Sequence, residues 1–365
     1  MNIKNEVSEI GPYKIVQIFF PVSGFRAVVV VDNIALGPSI GGVRVSQSVT
    51  LEEIKRLAGT MTLKNAIAGL PHGGGKAGIM VDPKDPQKEH CFRMFAQAIK
   101  DLNEYIPGPD MGSNEECMAW VYDEIGRAVG LPAEEGGLPL DRLGATGFGV
   151  AECAEVACHY AAMQLRGAKV AIQGFGSVGK KAAHFLAEKG ALIVAVSDTR
   201  GCISDLYGID VKKLTEVKDS TGSVINYRPG TVKKTEELFS EQCDILVPAA
   251  NPDVIHKGNA GDIRAKLIIQ WANIPATREA EELLHRKGIL SIPDFIANAG
   301  GVIMAAMEHA GKTGEEAFDT ISERIKKNTA LILEKTFEEN ILTRQAAEAI
   351  ARERVLTAMS YKRVL

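Results

Sequence analysis

Apolar positions along this chain fall into two rhythms, short β-rich runs and longer helical stripes, and glycine or proline marks most switches between them. Residues 13–20 and 25–31 are β-branched and aromatic, split by Pro21 and Gly24, and predict two adjacent strands. A glycine-rich loop at 37–44 follows a third short strand. Thr50 then caps a helix with Glu52 and Glu53 in its first turn. In that helix Leu51, Ile54, Leu57, Ala58, Met61, Asn65 and Ala68 form the core-facing stripe. Residues 70–81 break the helix and enter another strand, and 107–112 form a rigid Pro/Gly loop before a helix whose capping box is Ser113-Asn114-Glu115-Glu116. Residues 131–142, with Pro132, Gly136, Gly137 and Pro139, predict an interdomain linker. Beyond it, β-rich runs at 170–173, 190–196, 243–250, 266–270 and 288–292 alternate with helical segments, while 201–204 and 208–210 read as turns. That alternation predicts a parallel, doubly wound sheet with its ligand at the carboxyl ends of the strands.

The sharpest local signal is 169–198, a strand, a glycine turn, a helix at 180–189 and a second strand. The turn is Gly174-Phe175-Gly176-Ser177-Val178-Gly179. Gly174 permits the sharp turn, Gly176 lets a pyrophosphate approach the backbone, and Gly179 lets helix and strand pack closely. The helix N-terminus then offers N–H groups and a positive dipole end to the phosphates. Asp198 lies 19 residues past Gly179, near the ~20 expected for an acid that accepts from a ribose hydroxyl. The combination predicts a dinucleotide site.

Composition narrows the partners. The 365 residues suit about two domains. With 42 basic against 46 acidic residues the net charge is −4, so neither nucleic acid nor an anionic membrane is an expected partner. The six cysteines form no CxxC pair, which predicts buried, reduced thiols and no metal site. Residues 1–6 lack an apolar signal core, and no run of about 18 apolar residues occurs. A cytoplasmic protein acting on small molecules is the expectation.

Candidate chemistry lies mostly in the first half. Lys64 falls at the edge of a core-facing stripe, either as a snorkelling side chain or as a cation aimed at an anionic substrate group. Gly73-Gly74-Gly75-Lys76 is not a phosphate loop by spacing; its glycines read as room for a ligand. Lys76 stands at a sheet rim, where desolvation and a neighbouring cation would lower its pKa into a catalytic range. His72 reads as a structural turn residue. Asp110 is not needed as a helix cap, so it is either a turn acid or a proton-transfer carboxylate facing Lys76. Asn273 and Asn298 sit at two strand exits and favour a ligand cleft.

Taken in order, Met61-Thr62-Leu63-Lys64-Asn65-Ala66, Gly73-Gly74-Gly75-Lys76, Pro109-Asp110, Ala145-Thr146-Gly147, the 174–179 turn and Asn298-Ala299-Gly300-Gly301-Val302 resemble the Glu/Leu/Phe/Val dehydrogenases, from about 37 to 308. The resemblance implies an α/β protein of two domains. A mixed-sheet substrate-binding and oligomerisation domain, 1–142, would be completed by a C-terminal helix at about 332–365. A Rossmann-type dinucleotide-binding domain would span 143–331, across a closing cleft. It implies that Lys64 binds the substrate α-carboxylate, that Lys76 is the catalytic lysine and that Asp110 shuttles protons. Thr146 and Asn273 would contact the nicotinamide end, Asn298 would lie beside the substrate, and Gly42 of the Gly-Gly-x-Arg motif would line its site. It further implies reversible NAD(P)-dependent deamination of an L-amino acid to a 2-oxo acid and ammonia, by a homo-oligomer, a hexamer or an octamer.

Two positions bear on the substrate. Glutamate-specific members carry a lysine just before the Gly-Gly-x-Arg motif and a serine after Asn-Ala-Gly-Gly; here those positions hold Ile40 and Ala305. A buried side-chain carboxylate would go unpaired there, so an apolar substrate such as leucine, valine or phenylalanine is expected, with glutamate the alternative. The wording around Asp110 and in 197–210 is closer to the glutamate branch. Asp198 favours NAD, while Arg200 could pair with the 2′-phosphate of NADP. A nucleotide-binding sensor without turnover is the rival from another class, and the joint presence of Lys64, Lys76 and Asp110 speaks against it. A hydroxy-acid dehydrogenase would need a histidine base, and none of the seven histidines lies in a matching motif.

Overall fold

A computed structural model describes residues 8–362, without the side chains of Asp141, Ser177 and Val178; residues 1–6, read above for a signal core, lie outside it. The chain forms two compact units. The first comprises residues 1–143, 302–320 and 348–365, and the second 144–301 and 321–347. The sequence boundary falls at the same linker, but 302–320 belongs to the first unit and 332–347 to the second. Apolar patterning identifies helices and does not say which core each buries.

In the first unit five strands, β1 (Lys14–Phe20), β2 (Phe25–Asn33), β3 (Ser39–Val45), β4 (Gly73–Ile79) and β5 (Tyr105–Pro109), form one sheet in the order β1-β2-β4-β3-β5. β1, β2 and β4 pair antiparallel, whereas β3 pairs parallel with β4 and β5. The sheet is covered on both faces. Val28 and Val30 of β2 pack with Ile54 and Ala58 of helix α1 (Leu51–Ile67), and Val29 and Val31 pack with Phe92, Phe95, Met118 and Val121 of α2 (Lys88–Ala98) and α3 (Glu115–Ile125). This alternation places successive side chains of one strand in two cores, so β2 is apolar without a break from Ala27 to Val31. The Thr50 cap forms, its hydroxyl accepting from the Glu53 N–H. For α3 the cap is Asn114, accepting from Cys117; Ser113 turns inward instead. The linker at 131–142 is not extended: it contains most of a short helix, α4 (Leu140–Leu143), and stays in the first unit.

The second unit begins with α5 (Ala145–Tyr160), then β6 (Lys169–Gln173), α6 (Ser177–Glu188), β7 (Leu192–Asp198), β8 (Gly201–Ser204), α7 (Val211–Thr221), β9 (Thr231–Lys233), β10 (Ile245–Pro248), β11 (Leu267–Ile269), α8 (Arg278–Arg286), β12 (Leu290–Ile292) and α9 (Asp294–Ala297). Three further helices, α10 (Gly300–His309), α11 (Gly314–Glu339) and α12 (Thr343–Ser360), are divided between the units. The sheet order is β12-β11-β10-β6-β7-β8-β9. The five strands β12, β11, β10, β6 and β7 are parallel, and the order reverses between β6 and β10, the switch point at which such sheets bind ligands. Residues 201–204, expected as a turn, form β8, which with β9 extends the sheet antiparallel. Their run is too short for a two-residue rhythm to register. All six cysteines are buried free thiols.

Candidate functional site

Pairing in the first sheet brings three motifs side by side. Val43 of β3 stands opposite Ala77 of β4 and Pro109 of β5, which sets Gly42 between Lys76 and Asp110. The Lys76 Nζ lies 3.1 Å from Asp110 Oδ2, and the same oxygen accepts from Arg44 Nε at 2.9 Å. A second Arg44 nitrogen reaches Glu53 at 2.6 Å. A Cβ on Gly42 would meet the Asp110 Cβ at 2.7 Å and the Lys76 Nζ at 3.2 Å. Glycine there keeps the lysine's path clear. Asp110 is fixed from behind by Ser113, whose Oγ accepts the Asp110 N–H at 2.8 Å and donates to the Val43 carbonyl at 2.8 Å.

Electrostatics separates the pair. Lys76 is 6% exposed; burial pushes its ammonium below the ordinary lysine value, and the nearby Asp110 charge opposes that shift without cancelling it. Burial alone would raise the Asp110 carboxyl, but Lys76 and Arg44 outweigh it and hold it below the usual carboxylate value. The result is an ammonium that gives up its proton more readily than an ordinary lysine, beside a carboxylate that is held ionised. A cavity of about 530 Å³, lined by Asp110, Ser113, Asn114 and Pro132 among others, opens on this carboxylate.

The three glycines before Lys76 serve a different purpose from the one expected. A Cβ on Gly74 would land on the Thr62 amide nitrogen, and one on Gly73 on the Asn33 carbonyl. Gly74 lets α1 lie against β4, Gly73 lets β4 lie against the end of β2, and Gly75 faces Ser39 and Tyr105. The contact between α1 and β4 sets the last turn of α1, which carries Lys64, half-buried. Ile40 and Ala305 are both buried in the first unit, at 3% and 5% exposure. His72, in the turn before β4, contacts the Pro38 carbonyl at 3.1 Å.

The glycine turn of the second unit lies at the switch point. Gly174 has φ +97°, and a Cβ on it would crowd Ala250 at 2.7 Å. Among the described residues nothing lies within 4 Å of where a Gly176 Cβ would stand, and Gly176 caps α6 with no side-chain acceptor. Open N–H donors at a helix N-terminus, beside a position without Cβ, fit a dinucleotide pyrophosphate. Phe175 is buried beneath the turn; the Ser177 and Val178 side chains lie outside the described residues. Gly179 contributes packing, since a Cβ there would strike the Gly174 carbonyl. Thr146 is half-buried near the start of α5, its Oγ1 3.1 Å from where a Gly301 Cβ would stand. Asn273 is exposed after β11, and Asn298 donates to the Trp271 carbonyl at 2.9 Å.

Asp198, the last residue of β7, sits in a network of donors from the chain itself. Its Oδ1 accepts from the Arg200 N–H at 2.8 Å and the Ser223 hydroxyl at 3.2 Å; its Oδ2 accepts from Lys218 at 2.7 Å and the Val224 N–H at 2.9 Å. Burial raises this carboxyl, but Lys218 and the other donors outweigh it and leave it below the usual value. Both oxygens are thus engaged by the chain itself. Sequence reasoning missed that network; it gave Ser113 only the role of a helix cap, and Arg44 was visible only as the last residue of the Gly-Gly-x-Arg motif.

Comparison with known proteins follows the same lines. A family model described as Glutamate/Leucine/Phenylalanine/Valine dehydrogenase matches residues 136–363, and the Glu/Leu/Phe/Val dehydrogenase, dimerisation domain, matches 12–127. The chain is 44% identical to a glutamate dehydrogenase of Aeropyrum pernix over 90% of this chain and 85% of that one. It is 42% identical to an NADP-specific glutamate dehydrogenase of Saccharolobus shibatae, over 91% and 84%. An NAD-specific glutamate dehydrogenase of Staphylococcus aureus is 37% identical over 96% and 91%. Among solved structures, hetero-hexameric glutamate dehydrogenase from Thermus thermophilus in a Leu-bound form matches with TM-score 0.84 at 30% identity, covering 95% of this chain and 89% of that one. L-tryptophan dehydrogenase from Nostoc punctiforme matches with TM-score 0.77 at 27% identity, covering 97% and 99%.

Proposed function

Since the chain belongs to the Glu/Leu/Phe/Val dehydrogenase family, we propose that Lys76 and Asp110 carry the chemistry of its reaction and that L-glutamate is the amino acid turned over. The protein is an oxidoreductase that deaminates an amino acid with NAD or NADP. The observation that carries the residue roles is the buried Lys76 amine 3.1 Å from an ionised Asp110. Asp110 takes a proton from the substrate ammonium, freeing the nitrogen lone pair to form the imine as hydride leaves Cα. Bound nicotinamide supplies the acceptor for that hydride. Water then adds to the imine carbon: the Lys76 amine accepts the water proton, and the ammonium so formed holds the developing oxygen charge. Asp110 returns its proton to nitrogen and then takes the hydroxyl proton as the C–N bond breaks, so that ammonia departs and the 2-oxo acid remains. Lys64 binds the α-carboxylate. Lys76→Ala should lower kcat by about 10²–10⁴-fold with NADH affinity unchanged; near-normal turnover overturns the assignment.

The glutamate reading rests on the relatives' names, all three glutamate dehydrogenases. Ile40 and Ala305, buried and without cation or hydroxyl, favour a second reading, an apolar L-amino acid. A panel of kcat/KM values with both cofactors decides. Glutamate should exceed leucine by about 10²-fold or more, and the reverse order selects the apolar reading. The Asp198 network bears on the cofactor: with its charge countered by Lys218 and exposed Arg200 beside it, a 2′-phosphate meets no free carboxylate. Use of both NAD and NADP is our reading, where the bare sequence favours NAD.

A homo-oligomer, hexameric by analogy with the Thermus enzyme's hexamer, is the proposed assembly. Edge strand β1 and its flank expose Tyr13, Ile15 and Phe19, apolar surface of the kind that assemblies cover. No helix among the described residues is long and apolar enough to cross a membrane. Six free cysteines accord with a reducing cytoplasm.

A further inference from the structure

Asn273 and Asn298 rest on a buried charge cluster that no motif marks. The Asn298 side-chain nitrogen lies 3.4 Å from Asn273 Oδ1, and its backbone N–H donates to the Asp294 carbonyl at 2.8 Å, one turn earlier. The Asp294 side chain reaches the other asparagine's turn: its Oδ2 accepts the Ile274 N–H at 3.0 Å. Ile274 has φ +48°, a conformation that a β-branched residue rarely adopts and that this bond helps to hold. The remaining oxygen, Oδ1, accepts from Arg344 at 3.0 Å.

Arg344, in the first turn of α12, is spread over three partners. Its Nε donates to both Glu281 oxygens at 3.0 Å, and a terminal nitrogen donates to Gln270 at 2.9 Å as well as to Asp294. Its guanidinium lies 5.6 Å from the Phe295 ring centre. Asp294 and Glu281 are 4% and 6% exposed, two carboxylates that repel unless a cation lies between them. Only a planar fork serves this many acceptors at once, so a lysine keeps the charge and loses the geometry.

We propose that Arg344 is a positioning residue for the reaction: by fixing Asp294 it sets the 273–274 turn and the orientation of Asn273 and Asn298. The proposal rests on the reading in which Asn273 contacts the nicotinamide end. Nothing in helix periodicity would have found it, because Arg344 follows the interruption between α11 and α12 at 340–342 and its partners lie 50 to 74 residues away.

The test compares NADH with ADP-ribose, which has the same adenosine and pyrophosphate but no nicotinamide. In Arg344→Lys, ADP-ribose affinity should stay within about twofold, while NADH affinity and kcat fall about tenfold or more. Asp294→Asn, which severs the charge link while keeping the side-chain shape, should move the same readouts in the same direction. If both ligands weaken together, or NADH binding and kcat stay at the parent values in either folded variant, Arg344 is a structural staple and the proposal falls. Asn273→Ala is the control. Should it leave the NADH to ADP-ribose ratio unchanged, the nicotinamide reading of Asn273 fails and takes the proposal with it; a changed ratio there alongside an unchanged one in Arg344→Lys defeats the Arg344 link alone.

Discussion

Gly74 and Gly176 belong to two glycine-rich motifs of this chain, one in each unit, and they do opposite work. At Gly74 the missing Cβ is replaced by the backbone of α1, at the Thr62 amide. At Gly176 no described residue takes the place of the missing Cβ, and the space adjoins an α6 N-terminus that has no side-chain cap. In the first unit glycine brings two parts of the chain together, and the reactive group, Lys76, arrives two residues later in the same strand. In the second unit glycine leaves space beside a helix N-terminus, where we place the phosphates of a dinucleotide. Composition cannot distinguish the two uses; what surrounds the Cβ direction does.

Two substitutions would break this contrast if it were wrong. Gly74→Ala puts a methyl into backbone that cannot move aside without lifting α1 from β4, and should cost at least about 3 kcal/mol, read as a thermal unfolding midpoint far below the parent's or as failure to fold. The smaller effect belongs to Gly176→Ala, at a position whose φ of −79° suits any residue. Its unfolding should match the parent within about 0.5 kcal/mol, while NADH binding weakens about tenfold because the methyl occupies the pyrophosphate's approach. Equal stability losses at both positions would erase the distinction.

Much of this was legible in the sequence. The strand, turn and helix of 169–198, the Thr50 cap and the run of parallel strands follow from local periodicity and punctuation, and the structure has them. The adjacency of Lys76 and Asp110 was expected as an interaction, and sheet order supplies it through β3, the strand between theirs. What could not be read depends on long-range pairing. Whether Asp198 was open to a ligand turned on Lys218, Ser223 and Val224. The assignment of 302–320 and 332–347 turned on which core each helix stretch faced, and Arg44 needed the register of β3 against β5 to meet Asp110.

The central claim is that burial makes the Lys76 ammonium easier to deprotonate and that the Asp110 charge limits how far. The pH dependence of kcat/KM in the parent and in Asp110→Asn tests it most directly. In the parent, activity should rise with pH along an acid limb centred below the ordinary lysine value of 10.5, as Lys76 loses its proton. Removing the carboxylate removes a charge that favours the ammonium, so the residual activity of Asp110→Asn should show that limb at lower pH. A limb that stays in place, or moves to higher pH, would contradict the account.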